Sequence, residues 1–409
     1  MVTVHTLSNG LVLLIEEIPH VESAAYELLI PGGIITDEEG RVGSSLILAE
    51  LMSRGAGSMD SRAISNAFDS LGAGHSESAG HDRFGFRGML LADKLESALE
   101  LVSMMVQKPH LPEPELDSIK SLLMQDLSSL VDNPARRVMI ELGRCYYPGV
   151  WGRASLGTEE GIQATTIEYV RSDWERRIRP RGAVLSIAGK VRSAEVIKVV
   201  ERLFGAWSGT ALAVPEIGEM PSHRAHHIEF ESAQVQIALA YPSARFGDRH
   251  FYAAKVASGI LSGGMFGRLF IEVREKRGLC YSVYARHAAN QYYGTVMAYA
   301  GTTPERAQET HDVMLGELRN LRGTVSTEEL ARAKANLKAG LIIGEESTGA
   351  RAGSNSSDWW LGKRIRPLSE ILDSVSVVDI PAVDAYLDAY PISSFMSVSL
   401  GPKAVSLAA

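Results

Sequence analysis

Carboxylate and imidazole side chains could bind a metal or move a proton, and one carboxylate stands out in this sequence. Glu50 is the only acidic residue in the stretch SSLILAELMSRG, residues 44–55. Apolar residues surround most of the helix that this stretch predicts, so the helix should be largely buried. Composition alone favours a Glu50 that pairs with an arginine or reaches solvent at one edge of the helix.

The histidines do not follow a metal-binding pattern. His75 and His81 lie in GAGHSESAGHDRFGF, which predicts a strand pair or a loop that leads into one. His226 and His227 are adjacent, so their rings should point to opposite faces of a strand. Neither pair has zinc-ligand spacing with a matching partner, and we expect no metal at either pair.

A second stretch, LSGGMFGRLFIEVREKRGLCYSVYA, joins a charged helix end to an aromatic residue. Gly278 is expected to end the helix that contains Arg274, which places Tyr281 in the following strand. By residue type alone, this is a solvated helix end followed by an ordinary strand aromatic. The glycines at its start do not form a phosphate-binding loop, because the Gly-Lys-Ser/Thr ending is absent.

The elements that would position these residues occur in a pattern used twice. LPEPELDSIKSLLMQDLSSLVDNPARR and VSTEELARAKANLKAGLIIGEESTGARA each open with a turn and an acidic first turn, then continue as a long amphipathic helix. A helix precedes each stretch, and a helix and then a strand follow it. Corresponding elements of the two repeats are about 211–214 positions apart. We therefore predict two homologous halves.

The predicted fold class is α+β, with two homologous domains. Alternating residues predict strands in both halves, so each domain should contain a mostly antiparallel sheet packed with helices on one face. GAWSGTALAVPEIGEMPSHR is rich in glycine, proline and alanine and predicts a linker. The expected boundaries are 1–208 for the N-terminal domain, 209–223 for the linker and 224–409 for the C-terminal domain.

Composition limits the class of protein. The 409 residues are 45% hydrophobic and 22% charged, with a formal net charge of −8, which argues against nucleic acid or an anionic membrane as a partner. The two cysteines indicate neither a disulfide framework nor a cysteine zinc site, which favours a reducing compartment. The strand-like N-terminus does not resemble a signal peptide, and no apolar stretch approaches about 18 residues. We expect a cytoplasmic protein.

The helix around Glu50 resembles the His-x-x-Glu-His helix of the pitrilysin/insulinase superfamily of zinc peptidases. In that family the two histidines hold zinc and the glutamate polarises the attacking water. Aligned on the Arg-Gly that ends the helix, these three positions are occupied by Leu46, Ala49 and Glu50. The family's third zinc ligand, a glutamate further along the chain, falls at Asp126. The resemblance implies a degenerate zinc site, and we expect no zinc at this helix.

The stretch that contains Arg274 and Tyr281 is similar to a segment in the second half of the same family. The family's arginine and tyrosine at these positions form a pair that reaches the zinc site of the other half or of a partner subunit. A guanidinium and a phenol hydroxyl are strong donors for a substrate backbone and for the charge that develops on its carbonyl oxygen. Arg274 and Tyr281 are therefore the predicted catalytic residues, acting in trans.

The resemblance covers nearly the whole chain and is greatest to the two-domain branch that includes mitochondrial processing peptidase subunits and their bacterial relatives. It implies the non-zinc subunit of a heterodimeric metallopeptidase that acts on peptides or unfolded segments. This chain would carry no cofactor and be inactive alone, and the zinc would belong to a homologous partner subunit. The partner is a separate chain or a second copy.

An alternative belongs to another class: a catalytically inert scaffold or core-type subunit of a larger assembly. The intact Arg274 and Tyr281 favour the peptidase subunit, because a pure scaffold has no use for both. The strand around His75 could also add a substrate strand by main-chain pairing. The family's usual Asn-Ala in that strand aligns here with Ser76 and Glu77.

Overall fold

The computed structural model describes residues 2–210, 212–220 and 224–407. They form two compact units that are each built from separate pieces of chain. Unit 1 comprises Met1–Ser129, Arg153–Glu216 and Gly344–Ile365, and unit 2 comprises Leu130–Gly152, Ile217–Ile343 and Arg366–Ala409.

These units differ from the continuous domains that the sequence predicts, 1–208 and 224–409. Residues 130–152 group with the later part of the chain and residues 344–365 with the earlier part, because each segment packs on the sheet of that unit. The chain passes from unit 1 to unit 2 after Glu216, inside the predicted linker 209–223. Residues 211 and 221–223 of that linker lie outside the described residues.

Unit 1 contains a six-stranded sheet. Its strands are β1 (Val2–Thr6), β2 (Val12–Glu17), β3 (Ser23–Pro31), β6 (Gly74–Ala79), β7 (Arg83–Leu91) and β8 (Val184–Gly189). They lie in the order β1-β2-β8-β3-β7-β6, and only β2 and β8 are parallel neighbours. Two short strands, β4 (Gly55–Ala56) and β5 (Met59–Asp60), form a separate hairpin.

Unit 2 contains a five-stranded sheet with the same arrangement. Its strands are β9 (Arg224–Glu229), β10 (Val235–Ser243), β11 (Cys280–Ala289), β12 (Gly294–Thr302) and β13 (Met396–Gly401). The order β9-β13-β10-β12-β11 repeats the order β2-β8-β3-β7-β6 of unit 1, including one parallel pair at the same place. The duplication seen in the sequence is therefore present in the sheet topology.

Helices cover both sheets. Unit 1 has α1 (Ser44–Met52), α2 (Ser61–Ser70), α3 (Leu95–Gln107), α4 (Glu113–Ser128), α6 (Glu159–Ala164), α7 (Ile167–Arg177), α8 (Ser193–Phe204) and α12 (Thr348–Gly362). Unit 2 has α5 (Pro134–Tyr146), α9 (Phe251–Ser262), a π-helix (Phe270–Glu275), α10 (Ala307–Arg319), α11 (Thr327–Ile343), α13 (Leu368–Ser376) and α14 (Ile380–Ala389). Short 3₁₀ turns lie at Ile34–Thr36, Ala92–Lys94, Gly149–Gly152 and Pro304–Arg306.

The repeated helices keep the spacing that the sequence predicts. α3 and α10 begin at Leu95 and Ala307, which are 212 positions apart. α4 and α11 begin 214 positions apart, and α7 and α14 begin 213 positions apart. The α+β fold with mostly antiparallel sheets and packed helices is confirmed.

The expectation that helices cover only one face of each sheet is wrong. In β3, Leu28 and Ile30 face the main core of unit 1, whereas Leu29 packs with Trp360 of α12 on the other face. α5 packs on β10 and β13 in unit 2. Strands that are apolar on both faces need cover on both sides. None of the helices in the described part of the chain is both long and apolar enough to cross a membrane.

Candidate functional site

Helix α1 carries three of the four positions that correspond to the zinc-peptidase residues. The Leu46 side chain is partly buried against the core of unit 1, and Ala49 is 3% exposed within that core. Glu50 is half-buried, and its Oε2 accepts a 3.4 Å hydrogen bond from Arg54 Nη2. The pairing of Glu50 with an arginine, expected from composition, is confirmed.

The fourth position lies on α4, which packs against α1. Asp126 is exposed, one turn beyond the buried Leu123. Two carboxylates without an imidazole make a poor donor set for zinc, which prefers nitrogen and sulfur ligands alongside oxygen. Among the described residues, no group of three metal ligands includes Glu50 or Asp126. The side chains of Leu46, Ala49, Glu50 and Asp126 therefore do not fit zinc.

A buried ion-pair network fixes the start of α1. Asp37 Oδ2 accepts a 2.6 Å hydrogen bond from the Gly43 N–H, and Asp37 Oδ1 accepts 3.3 Å from the Ser45 N–H. Gly43 has φ 113°, a left-handed conformation that favours glycine. Arg177 of α7 donates to Asp37 at 2.8 Å, and both side chains are fully buried. These contacts hold the start of the helix in place.

Arg274 lies in the π-helix of unit 2. The helix is anchored at its start by Arg268, whose Nε and Nη2 donate to the two carboxylate oxygens of Glu329 at 2.6 and 2.8 Å. Such a two-point ion pair fixes orientation as well as distance. π-Helical turns are uncommon and occur often at functional sites.

The turn after the π-helix directs Tyr281. Gly278 has φ 58° and reverses the chain, as the sequence predicts. The Gly278 carbonyl accepts a 2.5 Å hydrogen bond from Arg306 Nη1. The Leu279 carbonyl accepts a 2.6 Å hydrogen bond from Thr302 Oγ1. In the pairing of β11 with β12 the register shifts between Cys280 and Ser282, so Tyr281 is the extra residue of a β-bulge. Bulges re-aim side chains and are frequent next to active sites.

The bulge brings Tyr281 to Arg274. The guanidinium carbon lies 4.7 Å from the centroid of the Tyr281 ring and 4.7 Å from that of Phe270. The Tyr281 side chain is 80% exposed. No described carboxylate pairs with Arg274, since the neighbouring Glu272 binds Lys276 instead. The Lys276 and Arg277 bonds hold the pKa of Glu272 below its ordinary value.

The pair can act as a hydrogen-bond donor. The Arg274 guanidinium and the Tyr281 hydroxyl both have donors to offer to a carbonyl oxygen or an oxyanion. The nearby Cys280 thiol stays protonated at neutral pH because burial raises its pKa to about 11, against the opposing charge of Arg274. The arrangement is suited to binding an oxygen that gains negative charge.

The predicted edge strand is present as β6. It pairs antiparallel with β7 and lies at the edge of the unit 1 sheet. Ser76 is exposed and Glu77 is half-buried. His75 Nδ1 lies 3.0 Å from Glu77 Oε1, and its ring stacks on Phe68 at 3.9 Å, so His75 has a structural role.

Sequence reasoning identified Arg274 and Tyr281, which the structure brings together, but missed the bulge and the Phe270 ring below the guanidinium. The bulge depends on register against β12, for which the local sequence carries no signal. The adjacent His226 and His227 do diverge. His227 lies 2.9 Å from Ser399 Oγ, whereas His226 approaches Glu141 and Cys145 of α5.

Two family models match the chain. The model described as Insulinase (Peptidase family M16) matches residues 12–144, and the model described as Peptidase M16 inactive domain matches residues 165–337. The first match includes α1, and the second includes the Arg274 segment.

Curated relatives match over most of their length. YmxG of Bacillus subtilis, named an uncharacterized zinc protease, is 26% identical over 390 residues, which are 94% of each chain. A protein of Rickettsia bellii with the same description is 25% identical over 413 residues, which are 98% of each chain.

Solved structures share the fold. A structure titled peptidase M16 inactive domain, from Pseudomonas fluorescens, has a TM-score of 0.88 and 25% identity and covers 100% of this chain and 99% of its own. A protease from Helicobacter pylori has a TM-score of 0.89 and 19% identity, and the match covers 98% of this chain and 99% of that protein.

Proposed function

Because the chain belongs to peptidase family M16, the insulinase superfamily, we propose that it is the non-zinc subunit of a heterodimeric metallopeptidase. It supplies Arg274 and Tyr281 in trans to a homologous zinc-bearing partner and acts on peptides or unfolded segments. The relatives named zinc proteases support peptide-bond hydrolysis as the reaction of the assembled particle. The chain alone is inactive in this proposal, since α1 lacks imidazole ligands.

The exposed, bulged Tyr281 stacked on Arg274 is the observation that carries the proposal. A tyrosine that is 80% exposed contributes little to a core, and a bulge interrupts the strand ladder around it. An arginine without a described carboxylate partner is likewise available to a ligand. Both features favour a binding role over a purely structural one.

Metal chemistry belongs to the partner in this scheme. Arg274 and Tyr281 bind the substrate main chain and donate hydrogen bonds to the carbonyl oxygen as it gains negative charge. Hydrogen-bond donors that are already in position before the reaction need no rearrangement during it. The Phe270 and Tyr281 rings stack against the Arg274 guanidinium and hold it in position. The edge of β6, around Ser76 and Glu77, can add a substrate segment by main-chain pairing.

The test combines this chain with a zinc-bearing relative from the same genome and measures cleavage of a fluorogenic peptide. Arg274→Ala and Tyr281→Phe should each lower kcat/KM by about 10²-fold or more, the usual cost of one oxyanion donor. Arg277→Ala is a matched arginine control, because Arg277 pairs with Glu272. Tyr284→Phe is a matched tyrosine control, because its ring stacks on Tyr299 at 5.2 Å.

The controls should keep the activity of the unaltered pair within a few-fold. Equal activity of the Arg274 and Tyr281 variants and their controls would contradict the donor role and favour the inert scaffold. Co-purification gives an independent result: a tagged chain should bring down a relative that carries the zinc motif. Recovery of this chain alone would favour a homodimer or scaffold.

A further inference from the structure

Three potential metal ligands converge in unit 2. Glu141 and Cys145 lie on α5, and His226 lies on β9. One ligand atom from each residue, an oxygen, a sulfur and a nitrogen, lies within 4.8 Å of the other two. This is the only such group of three among the residues that the structure describes.

Local geometry explains the convergence. Glu141 and Cys145 are four positions apart, so they share one face of α5. α5 packs on β10 and β13, and β9 is the next strand beyond β13. Arg137, one turn before Glu141, stacks over Phe230 at the end of β9 at 5.2 Å. The helix face therefore meets the edge strand where His226 lies.

The alternation of β9 selects one of the two adjacent histidines. His227 pairs across the strands with Ser399 and lies 2.9 Å from its hydroxyl. His226, one residue earlier, turns to the opposite face, where α5 packs. No described residue forms a hydrogen bond with the His226 ring or the Cys145 thiol. Both donors are therefore available to a ligand.

The donor set fits zinc. Zn²⁺ binds cysteine sulfur, histidine nitrogen and carboxylate oxygen in tetrahedral geometry, with ligand atoms about 3.3–3.8 Å apart. The ligand atoms of Glu141, Cys145 and His226 are at most 4.8 Å apart, and side-chain shifts of about 1 Å would bring them into that range. All three residues are half-buried, so water can fill the fourth position. Arg144 Nε donates to Glu141 Oε2 at 2.7 Å and orients the carboxylate, as outer-sphere partners do.

We propose that Glu141, Cys145 and His226 bind one zinc ion, with water as the fourth ligand, in contrast to the expectation from histidine spacing that His226 binds no metal. The ion links α5 to the edge strand β9. The Cys145 thiol releases its proton to solvent when the metal binds, so the charge of the ion is balanced by the Glu141 carboxylate and the Cys145 thiolate, with a neutral imidazole. The site shares no residue with the four positions discussed on α1 and α4, and it does not depend on the proposed peptidase role.

The experiment uses the isolated, untagged chain, freed of metal with a chelator and then titrated with Co²⁺ and Zn²⁺. About one equivalent of Co²⁺ should bind with a thiolate-to-metal charge-transfer band, which Zn²⁺ then displaces. Cys145→Ser should abolish the band, and His226→Gln should weaken metal binding by more than the roughly 10–100-fold that loss of an outer-shell partner costs. The controls are Cys280→Ser, which changes the other cysteine, and His227→Gln, which changes the adjacent histidine. Both should bind as the unaltered chain does.

A measurement on the unaltered chain avoids any effect of the substitutions on folding. Bound zinc should protect Cys145 from alkylation, followed by mass spectrometry, and leave the rate at Cys280 unchanged. A cobalt complex without the thiolate band, or equal protection of both cysteines, would overturn the proposal. Metal binding that is lost in Glu50→Gln and kept in Cys145→Ser would also overturn it and would contradict the expected metal-free α1.

Discussion

Replacement of Arg177 by methionine should destabilise unit 1 strongly. The side chain is fully buried, and it donates to Asp173 through Nε and to Asp37 through Nη1, both at 2.8 Å. Removal of one partner from a buried ion pair costs about 3–5 kcal/mol, because the remaining charge stays buried without compensation. The two carboxylates are only 4% and 2% exposed.

The remaining hydrogen bonds place the expected loss near the lower end of that range. Asp37 keeps the N–H groups of Gly43 and Ser45, and Asp173 keeps Arg176 at 2.6 Å. We expect Arg177→Met to lower the free energy of unfolding by about 3 kcal/mol. Addition of Asp37→Asn to Arg177→Met should restore part of the loss, because Asp37 is the carboxylate left without a cationic partner, whereas Asp173 keeps Arg176.

Hydrogen–deuterium exchange of peptides from α1 and α7 measures the effect within unit 1. A loss of about 3 kcal/mol corresponds to a fall in protection of roughly 10²-fold. Arg176→Met is the matched control, since Arg176 also binds Asp173 but is one third exposed, and it should cost at most about 1 kcal/mol. Equal protection in the two variants would refute the claim that the buried arginine holds α1.

Two further predictions concern titratable side chains in unit 2. Burial holds the pKa of His287 below its ordinary value of 6.5, while its Nε2 lies 2.7 Å from the Ala244 carbonyl. Below pH 6.5 the unfolded chain takes up a proton that the folded chain does not, so the stability of unit 2 should fall from pH 7 to pH 5. His287→Gln should flatten this dependence in urea unfolding, and an unchanged slope would contradict it. Cys280, whose pKa is raised from 9.0 to about 11, should react with iodoacetamide about 10²-fold more slowly than an ordinary thiol. Arg274→Ala should slow the alkylation of Cys280 further, because the charge of Arg274 lowers the pKa of that thiol. Mass spectrometry measures the alkylation rate, and a faster reaction in the variant would contradict the prediction.

The duplicated fold was predictable because it rests on hydrophobic periodicity. α4 and α11 have the acidic first turn and long amphipathic pattern that the sequence shows at both places. Helix α12 was not predictable in this way, because small and polar residues, such as Ala352 and Asn355, face its sheet beside Trp360. Asn355 donates to Glu16 at 2.8 Å, and Ser356 bonds the buried Glu27. Where a helix contacts a sheet partly through polar pairs, the hydrophobic periodicity of its sequence is weak.

For the candidate sites, too, features that are local in the sequence were predictable and features that depend on distant segments were not. Spacing in the sequence and the Gly278 turn placed Arg274 and Tyr281 near each other, since both are local features. The bulge at Tyr281 and the approach of His226 to α5 depend on pairing between strands distant in sequence. No window of local sequence contains those pairings.

One substitution would not give α1 the residues of a zinc-peptidase helix. Ala49 is 3% exposed and Leu46 packs against the same core, so both residues contribute to the stability of unit 1. A glutamate at Ala49 would bury a carboxylate among apolar neighbours, which is costly without a partner. A zinc set would also need histidines in place of Leu46 and Glu50. In the proposed function Arg274 and Tyr281 therefore act with a zinc site on a second polypeptide, and the mixing experiment tests that proposal directly.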